Sequence, residues 1–200
     1  MKNFTFRFQS LILKTFFVCF LSFVGIPNNS KSIHSSHFSN TEGILEAEAN
    51  APCNGQIKYE FYDSRPTNST VDNIPTTGAL STGLVSDFDV NDLQNTVDPG
   101  DTDVYSIRYS GSININTAGN YTFYTNSDDG SKLFIDGIEV VNNDGDHAPA
   151  EQNGSINLSS GSHKFTVLFY ENGGGAVLEV SYSGPSISKQ FIPFSILSCD

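Results

Sequence analysis

The sequence predicts an all-β fold, an antiparallel β-sandwich or jelly-roll-like barrel, and three observations carry that expectation. From Cys53 onward, short runs alternate apolar and polar residues with the period of two that marks a half-buried strand. Gly, Asn, Asp and Pro punctuate these runs at roughly the 8–12-residue spacing of an all-β domain. No stretch repeats apolar residues at the 3.6-residue period of an amphipathic helix, so no helix is expected.

In chain order the strand-like runs are Ile57 to Tyr62, Val104 to Ile115, Tyr121 to Thr125, Lys132 to Ile135 and Ile138 to Val141. They continue with Ser155 to Leu158, His163 to Tyr170, Ala176 to Tyr182 and Gln190 to Phe194. Asp136-Gly137, between Leu-Phe-Ile and Ile-Glu-Val-Val, predicts a two-residue hairpin, because a type I′ turn needs positive φ at both central positions. Asp136 is therefore read as a turn residue rather than a ligand. Residues 63–103 are the least regular part and hold two acidic runs, Asp87 to Asp92 and Asp98 to Asp103. Neither has the glycine and distal glutamate of a helix-loop-helix calcium site, so both are read as solvated loops.

Upstream of the patterned region the composition changes. Lys2, Arg7 and Lys14 precede the apolar run Thr15 to Ile26, which gives way to Pro-Asn-Asn-Ser-Lys-Ser. A basic start, a short apolar segment and a polar exit read as a secretory leader, residues 1–27. The run falls short of the roughly 20 residues that span a bilayer, so membrane contact is expected only during export. Residues 28–52, rich in Ser, Asn and His, read as a flexible spacer, and residues 53–200 as the folded domain. Cys19 lies inside the apolar run of the leader. Cys53 and Cys199 stand at the two ends of the patterned region, and in an exported protein such a pair is most simply a disulfide. A hydrophobic share of 38% supports one core. The net charge of -12 excludes nucleic acid as a partner, since phosphate neutralisation needs a basic patch.

The most informative local feature is Asp128-Asp129, two adjacent carboxylates between two strand-like runs. Neighbouring side chains on a strand point to opposite faces, so the pair converges on one point only through a sharp bend or a cis peptide. A hard divalent cation that takes oxygens from both is the candidate ligand; the alternative is a turn pair that caps backbone amides. The loop Glu171-Asn-Gly-Gly-Gly-Ala176 offers a second arm, because loops joining different strands of a sandwich can meet at one end. Catalysis is not expected. Glycoside hydrolysis needs two acids facing each other about 5 to 9 Å apart, which adjacent aspartates on one cation do not provide. Asp146-His147 lacks an accompanying Ser or Cys nucleophile motif, His163 alternates with apolar residues, and neither histidine has zinc spacing.

Three ordered blocks carry a family resemblance: Tyr105 to Ile113, Ala118 to Gly137, and Gly161 to Ala176. They resemble the protective antigen fourteen domain, and the likeness runs from about Gly55 to Ile196. The resemblance implies a β-sandwich with a carbohydrate-binding role, of the kind found in adhesins, flocculins and inserts of glycoside hydrolases. It also implies a calcium ion held by Asp128 and Asp129 through a cis peptide, by the Asn172 side chain, and by carbonyls of Gly174 and Ala176. Sugar hydroxyls would then reach the ion. Tyr124 and Tyr170 flank the two loops and are candidates to cover a sugar face, with packing on their strands as the alternative; His147 is a candidate to line the face, with hydrogen bonding within its loop as the alternative. The three glycines of the second loop depart from members with strong sugar selectivity, which place larger residues there. The resulting expectation is a secreted, calcium-dependent, lectin-like module whose partner is a glycan. Its alternative is a structural or protein-interaction sandwich without sugar binding, accessory to a glycoside hydrolase or an adhesin.

Overall fold

The computed structural model describes residues 53–100 and 104–199; the expected leader and spacer lie outside them. Strands β1 (Ile57–Tyr62), β2 (Ser81–Val85), β3 (Tyr105–Ile115), β5 (Ser131–Ile135), β6 (Ile138–Asn143), β8 (Gly161–Glu171) and β11 (Leu197–Ser198) form one antiparallel sheet. Its order is β2-β1-β3-β8-β5-β6, with β11 beside β3 where β1 ends. Strands β4 (Gly119–Asp128), β7 (Ala150–Leu158), β9 (Val177–Gly184) and β10 (Ile187–Phe191) form a second sheet in the order β10-β9-β4-β7. The expected sandwich is therefore present.

Alternation decides what packs between the sheets. On β4 the residues Tyr121, Phe123, Thr125 and Ser127 are all buried, and their neighbours Thr122, Tyr124 and Asn126 are more open. On β8 the buried row Phe165, Val167, Phe169 faces them, and Leu133, Ile107 and Tyr182 complete the same core. At about 25 cal/mol per Å2 of apolar area removed from water, each such side chain contributes roughly 1.5–3 kcal/mol. The row on β4 changes character along its length. Tyr121 and Phe123 lie in hydrocarbon, whereas Ser127 Oγ is 2.8 Å from Ser131 Oγ, which donates to Thr125 Oγ1 at 3.0 Å. Asn143 Nδ2 donates to Ser127 Oγ at 2.9 Å, so the hydroxyls are satisfied as burial requires.

β8 is buried on both faces. Its other row, Leu168 and Tyr170, lies under the segment 63–80 in a separate small cluster with Tyr62, Val71 and Ile74. That segment is pinned by charge. Lys132, with a side chain 6% exposed, sits 2.7 Å from Asp72, 3.2 Å from Glu139 and 3.6 Å from Asp144. Asp144 also accepts from Val71 N at 2.9 Å, which fixes the segment to the end of β6.

Several expectations need correction. The run Asp87 to Asp92 is not a solvated loop, and the expectation of no helix fails there: α1 (Val90–Val97) begins within it. Asp89 caps this helix by accepting from Asn91 N and Asp92 N, and Val90 and Leu93 turn into the core. Strand β2 was also missed, because Ser-Thr-Gly-Leu-Val carries a glycine at its centre, buries none of its residues and pairs on one side alone, as a sheet edge. β7 starts at Ala150 rather than Ser155; Glu151, Gln152 and Asn153 are polar and exposed, so no apolar alternation marks them. β10 ends at Phe191, three residues before the expected Phe194, which instead opens a 3-10 turn.

The Asp136-Gly137 turn is as expected, with φ of 51° and 78°. Asp136 goes further: its Oδ1 accepts from Lys164 N at 2.8 Å and its Oδ2 lies 2.7 Å from His163 Nδ1. That contact raises the His163 pKa and lowers that of Asp136. The pair thus stabilises the fold between the ordinary Asp and His values, about pH 4 and 6.5, where both partners carry charge. Its contribution fades as pH falls through the depressed Asp value or rises through the elevated His value. Because the Asp136 side chain is 47% exposed, solvent screening limits the effect. His163→Ala is expected to cost about 0.5–1 kcal/mol near pH 5.5 and less at pH 9, read by urea denaturation.

Candidate functional site

Three connections cross between the two sheets at one end of the sandwich. The first, Asp129-Gly130, joins β4 to β5; the second, residues 144–149, joins β6 to β7; the third, residues 172–176, joins β8 to β9. The first has two residues in which to change sheets, which accounts for the sharp bend at the aspartate pair. Asp128 closes β4 opposite Val177, so it sits at a strand end rather than on a free loop. The Asp128-Asp129 peptide is cis. Gly130 has no room for a side chain, since a Cβ there would run into the Tyr170 ring.

Asp129 clasps all three connections. Its Oδ1 accepts from His147 N at 2.8 Å in the second, and its Oδ2 accepts from Asn172 N at 2.8 Å in the third. Beside it stands Glu171, the last residue of β8, with no exposed surface. Glu171 Oε1 accepts from Gly173 N at 2.8 Å, whereas Oε2 is buried without a hydrogen-bond partner. One oxygen each from Asp128, Asp129 and Glu171 lie within 4.8 Å of one another.

The electrostatics are those of crowded carboxylates. Burial is the main cause that pushes the Glu171 carboxyl up to about 7; the Asp129 and Asp128 charges add to it, while the Gly173 and Asn172 amides oppose it. Asp128 is also raised, by burial and then by Asp129, with His147 acting against both. Burial depresses the His147 imidazole, but the Asn143 and Ala148 carbonyls and the two aspartates outweigh it and raise its pKa overall. Its ring nitrogens lie 3.1 Å from Asn143 O and 3.0 Å from Ala148 O, acceptors that the doubly protonated ring satisfies together.

A cation fits this set. Calcium takes hard oxygen ligands at about 2.3–2.6 Å, so any two of its ligand atoms lie within about 5 Å of each other. Three mutually close carboxylates, one with an orphaned buried oxygen, meet that requirement and could hold a metal ion.

The other expected site residues have environments of their own. Asn172 supplies its amide to Asp129, and its Oδ1 accepts from Arg65 Nη1 at 2.6 Å. Gly174 has φ 113°, a conformation glycine adopts readily, and Ala176 O accepts from Asn91 Nδ2 at 3.1 Å. Tyr170 has no exposed surface: its hydroxyl donates to Asp146 Oδ1 at 2.8 Å and contacts Ser69 O at 3.0 Å, so it braces the site from beneath and offers no face to a ligand. Burial, then the bond to Asp146, raises its pKa and keeps it a donor. Tyr124 lies on the outer face of the smaller sheet, with Lys189 Nζ 4.4 Å from its ring centroid. Cys53 and Cys199 are bridged, with Cα atoms 5.5 Å apart.

Glu171 is the residue that the sequence reading passed over. Its signal was parity: positions 165, 167, 169 and 171 share one face of β8, so a carboxylate continues a core-facing apolar row. Such a group needs a partner.

An anti-sigma-I factor, RsgI3, of Acetivibrio thermocellus is 30% identical over 96 residues, which cover 48% of this chain and 15% of that protein. The chain thus spans under a sixth of the curated relative it matches. The crystal structure of the PA14 domain of the MpAFP antifreeze protein superposes with a TM-score of 0.63 at 21% identity, covering 72% of this chain and 90% of that one. A structure described as a PA14 sugar-binding domain from an RTX adhesin gives 0.58 at 19%, covering 72% and 98%. The family model for the PA14 domain matches residues 57–195, from β1 to the turn before β11, and the chain belongs to that family.

Proposed function

We propose that this domain is an exported, calcium-dependent carbohydrate-binding module in which Asp128, Asp129 and Glu171 hold the ion. The observation that carries the reading is the Glu171 Oε2 atom, buried and unpartnered within reach of two aspartate oxygens. A carboxylate in that position is costly unless something positive completes it. Asn172 and the carbonyls of Gly174 and Ala176 are assigned the remaining protein positions; a hydrogen-bonded carbonyl oxygen keeps a second lone pair. Bound there, a calcium ion would supply coordination positions for neighbouring sugar hydroxyls. His147, on the second connection, borders the same space. Export is supported by the bridged cysteines and by the leader-like start of the chain. The sugar part is motivated by the adhesin domain described as sugar-binding, whose fold this chain shares.

The test is calorimetric calcium titration and thermal melting of the protein and of Glu171→Gln, followed by a glycan array in calcium and in EGTA. Calcium is expected to bind and to raise the melting temperature, and Glu171→Gln to weaken binding by tenfold or more. No heat and no shift in melting would overturn the metal assignment. A second reading, a structural or protein-interaction module, is favoured by the Arg65 contact on Asn172 and by a loop whose three glycines offer no side chains to a sugar. Calcium binding with a blank array would establish it.

A further inference from the structure

A groove of about 600 Å3 opens between α1, β9 and β10, and none of the three clustered carboxylates lines it. Its apolar surface comes from Phe88, Leu178 and Phe191, and Phe191 is 65% exposed at the groove's edge. Around that surface stand Asp87, Asp89 and Glu179, and no Lys, Arg or His contributes to the lining. Among the described residues none of these three carboxylates makes an ion pair: Asp89 Oδ1 accepts from helix amides, Asp87 Oδ1 from Asp89 N, and Glu179 Oε2 from Asn126 Nδ2. Lys189, which lines a separate cleft on the other side of Glu179 and Phe191, is held by Glu151 at 2.6 Å and lies over the Tyr124 ring.

We propose that this groove docks an extended segment of a partner protein that carries Lys or Arg beside a large apolar side chain. The volume suits a few side chains, within the roughly 300–1,000 Å3 of ordinary ligand pockets. The apolar surface takes the hydrocarbon, and the single-signed rim takes the cation over the short range that physiological salt leaves, about 8 Å. A saccharide is the poorer fit, because its hydroxyls would meet Phe and Leu across the floor and lose their hydrogen bonds. A second copy of this chain is also disfavoured: 22 acidic against 10 basic residues bring like charge to the rim.

The test is an amide-shift NMR titration of the purified protein with two synthetic peptides, Ac-Gly-Lys-Phe-Lys-Leu-Gly-amide and its counterpart with Glu for each Lys. The lysine peptide is expected to shift amides at Phe88 to Asn91, Leu178 to Val180 and Phe191, with binding several-fold weaker at 0.5 M salt. Phe191→Ala is expected to weaken binding about tenfold and Glu179→Gln about threefold, with melting temperatures unchanged because both side chains are solvent-facing. The proposal is overturned if the lysine peptide causes no shifts at millimolar concentration, or if the glutamate peptide binds equally well. It is also overturned if the same amides move with protein concentration alone, which would mark self-association, or respond only to oligosaccharides.

Discussion

Asp129→Ala is expected to lower stability by about 3–5 kcal/mol even in EGTA, and to abolish any response to calcium. The carboxylate accepts two backbone N–H groups, one from each of the other two connections, and hydrogen bonds to charged groups contribute roughly 1.5–3 kcal/mol apiece. Removing it leaves two amides without their acceptor and three connections without their clasp. Asp128 provides the contrast, since among the described residues no backbone or side-chain donor bonds its carboxylate. Asp128→Asn should leave the urea midpoint in EGTA unchanged or slightly higher, since it removes a charge that burial and Asp129 disfavour, while weakening calcium binding. If both variants behave alike in EGTA, Asp129 has no structural part beyond its charge.

Breaking the Cys53–Cys199 bridge is the other large effect. The bridge links positions 146 residues apart, for which the chain-entropy model gives up to about 5 kcal/mol, and removing a native disulfide typically costs about 2–5 kcal/mol. Cys53→Ser is expected to shift the denaturation midpoint accordingly without dismantling the sandwich at 25 °C. The two ends are also joined by backbone contacts: Gly55 N donates to Leu197 O at 2.8 Å, and Asn54 bridges Ser198. An unchanged midpoint would mean that this ladder alone holds the ends together.

What could be read from the sequence follows from how local each signal is. The long strands were legible because a core-facing row imposes period two along β4 and on much of β3, and on β8 as far as Val167, beyond which its second face is buried too. The Asp136-Gly137 turn was legible because its backbone conformation restricts residue type. α1 was not, since an eight-residue helix is stabilised by the core that Val90 and Leu93 join and by the Asp89 cap, so the acidic run looked like solvent-facing loop. In the candidate site the aspartate pair and the glycine loop stood out by composition. Glu171 did not, because its meaning depends on the end of β8 meeting the end of β4, a long-range fact. For Tyr170, adjacency to the loop left a surface role open beside packing on its strand, and parity decides for packing, under the segment 63–80.

The crossing of all three connections between the sheets has a mechanical consequence. Each of Asp128, Asp129 and Glu171 terminates or leaves a strand, and those strands belong to different layers. Anything bound among the three carboxylates therefore acts as a rivet through both layers at that rim. At the far end the layers meet through hydrocarbon, whereas at this end the hydroxyl lattice and the clasp of Asp129 add directional hydrogen bonds. A ligand held there would oppose shear between the two layers at that rim, a load that the Cys53–Cys199 bridge does not share.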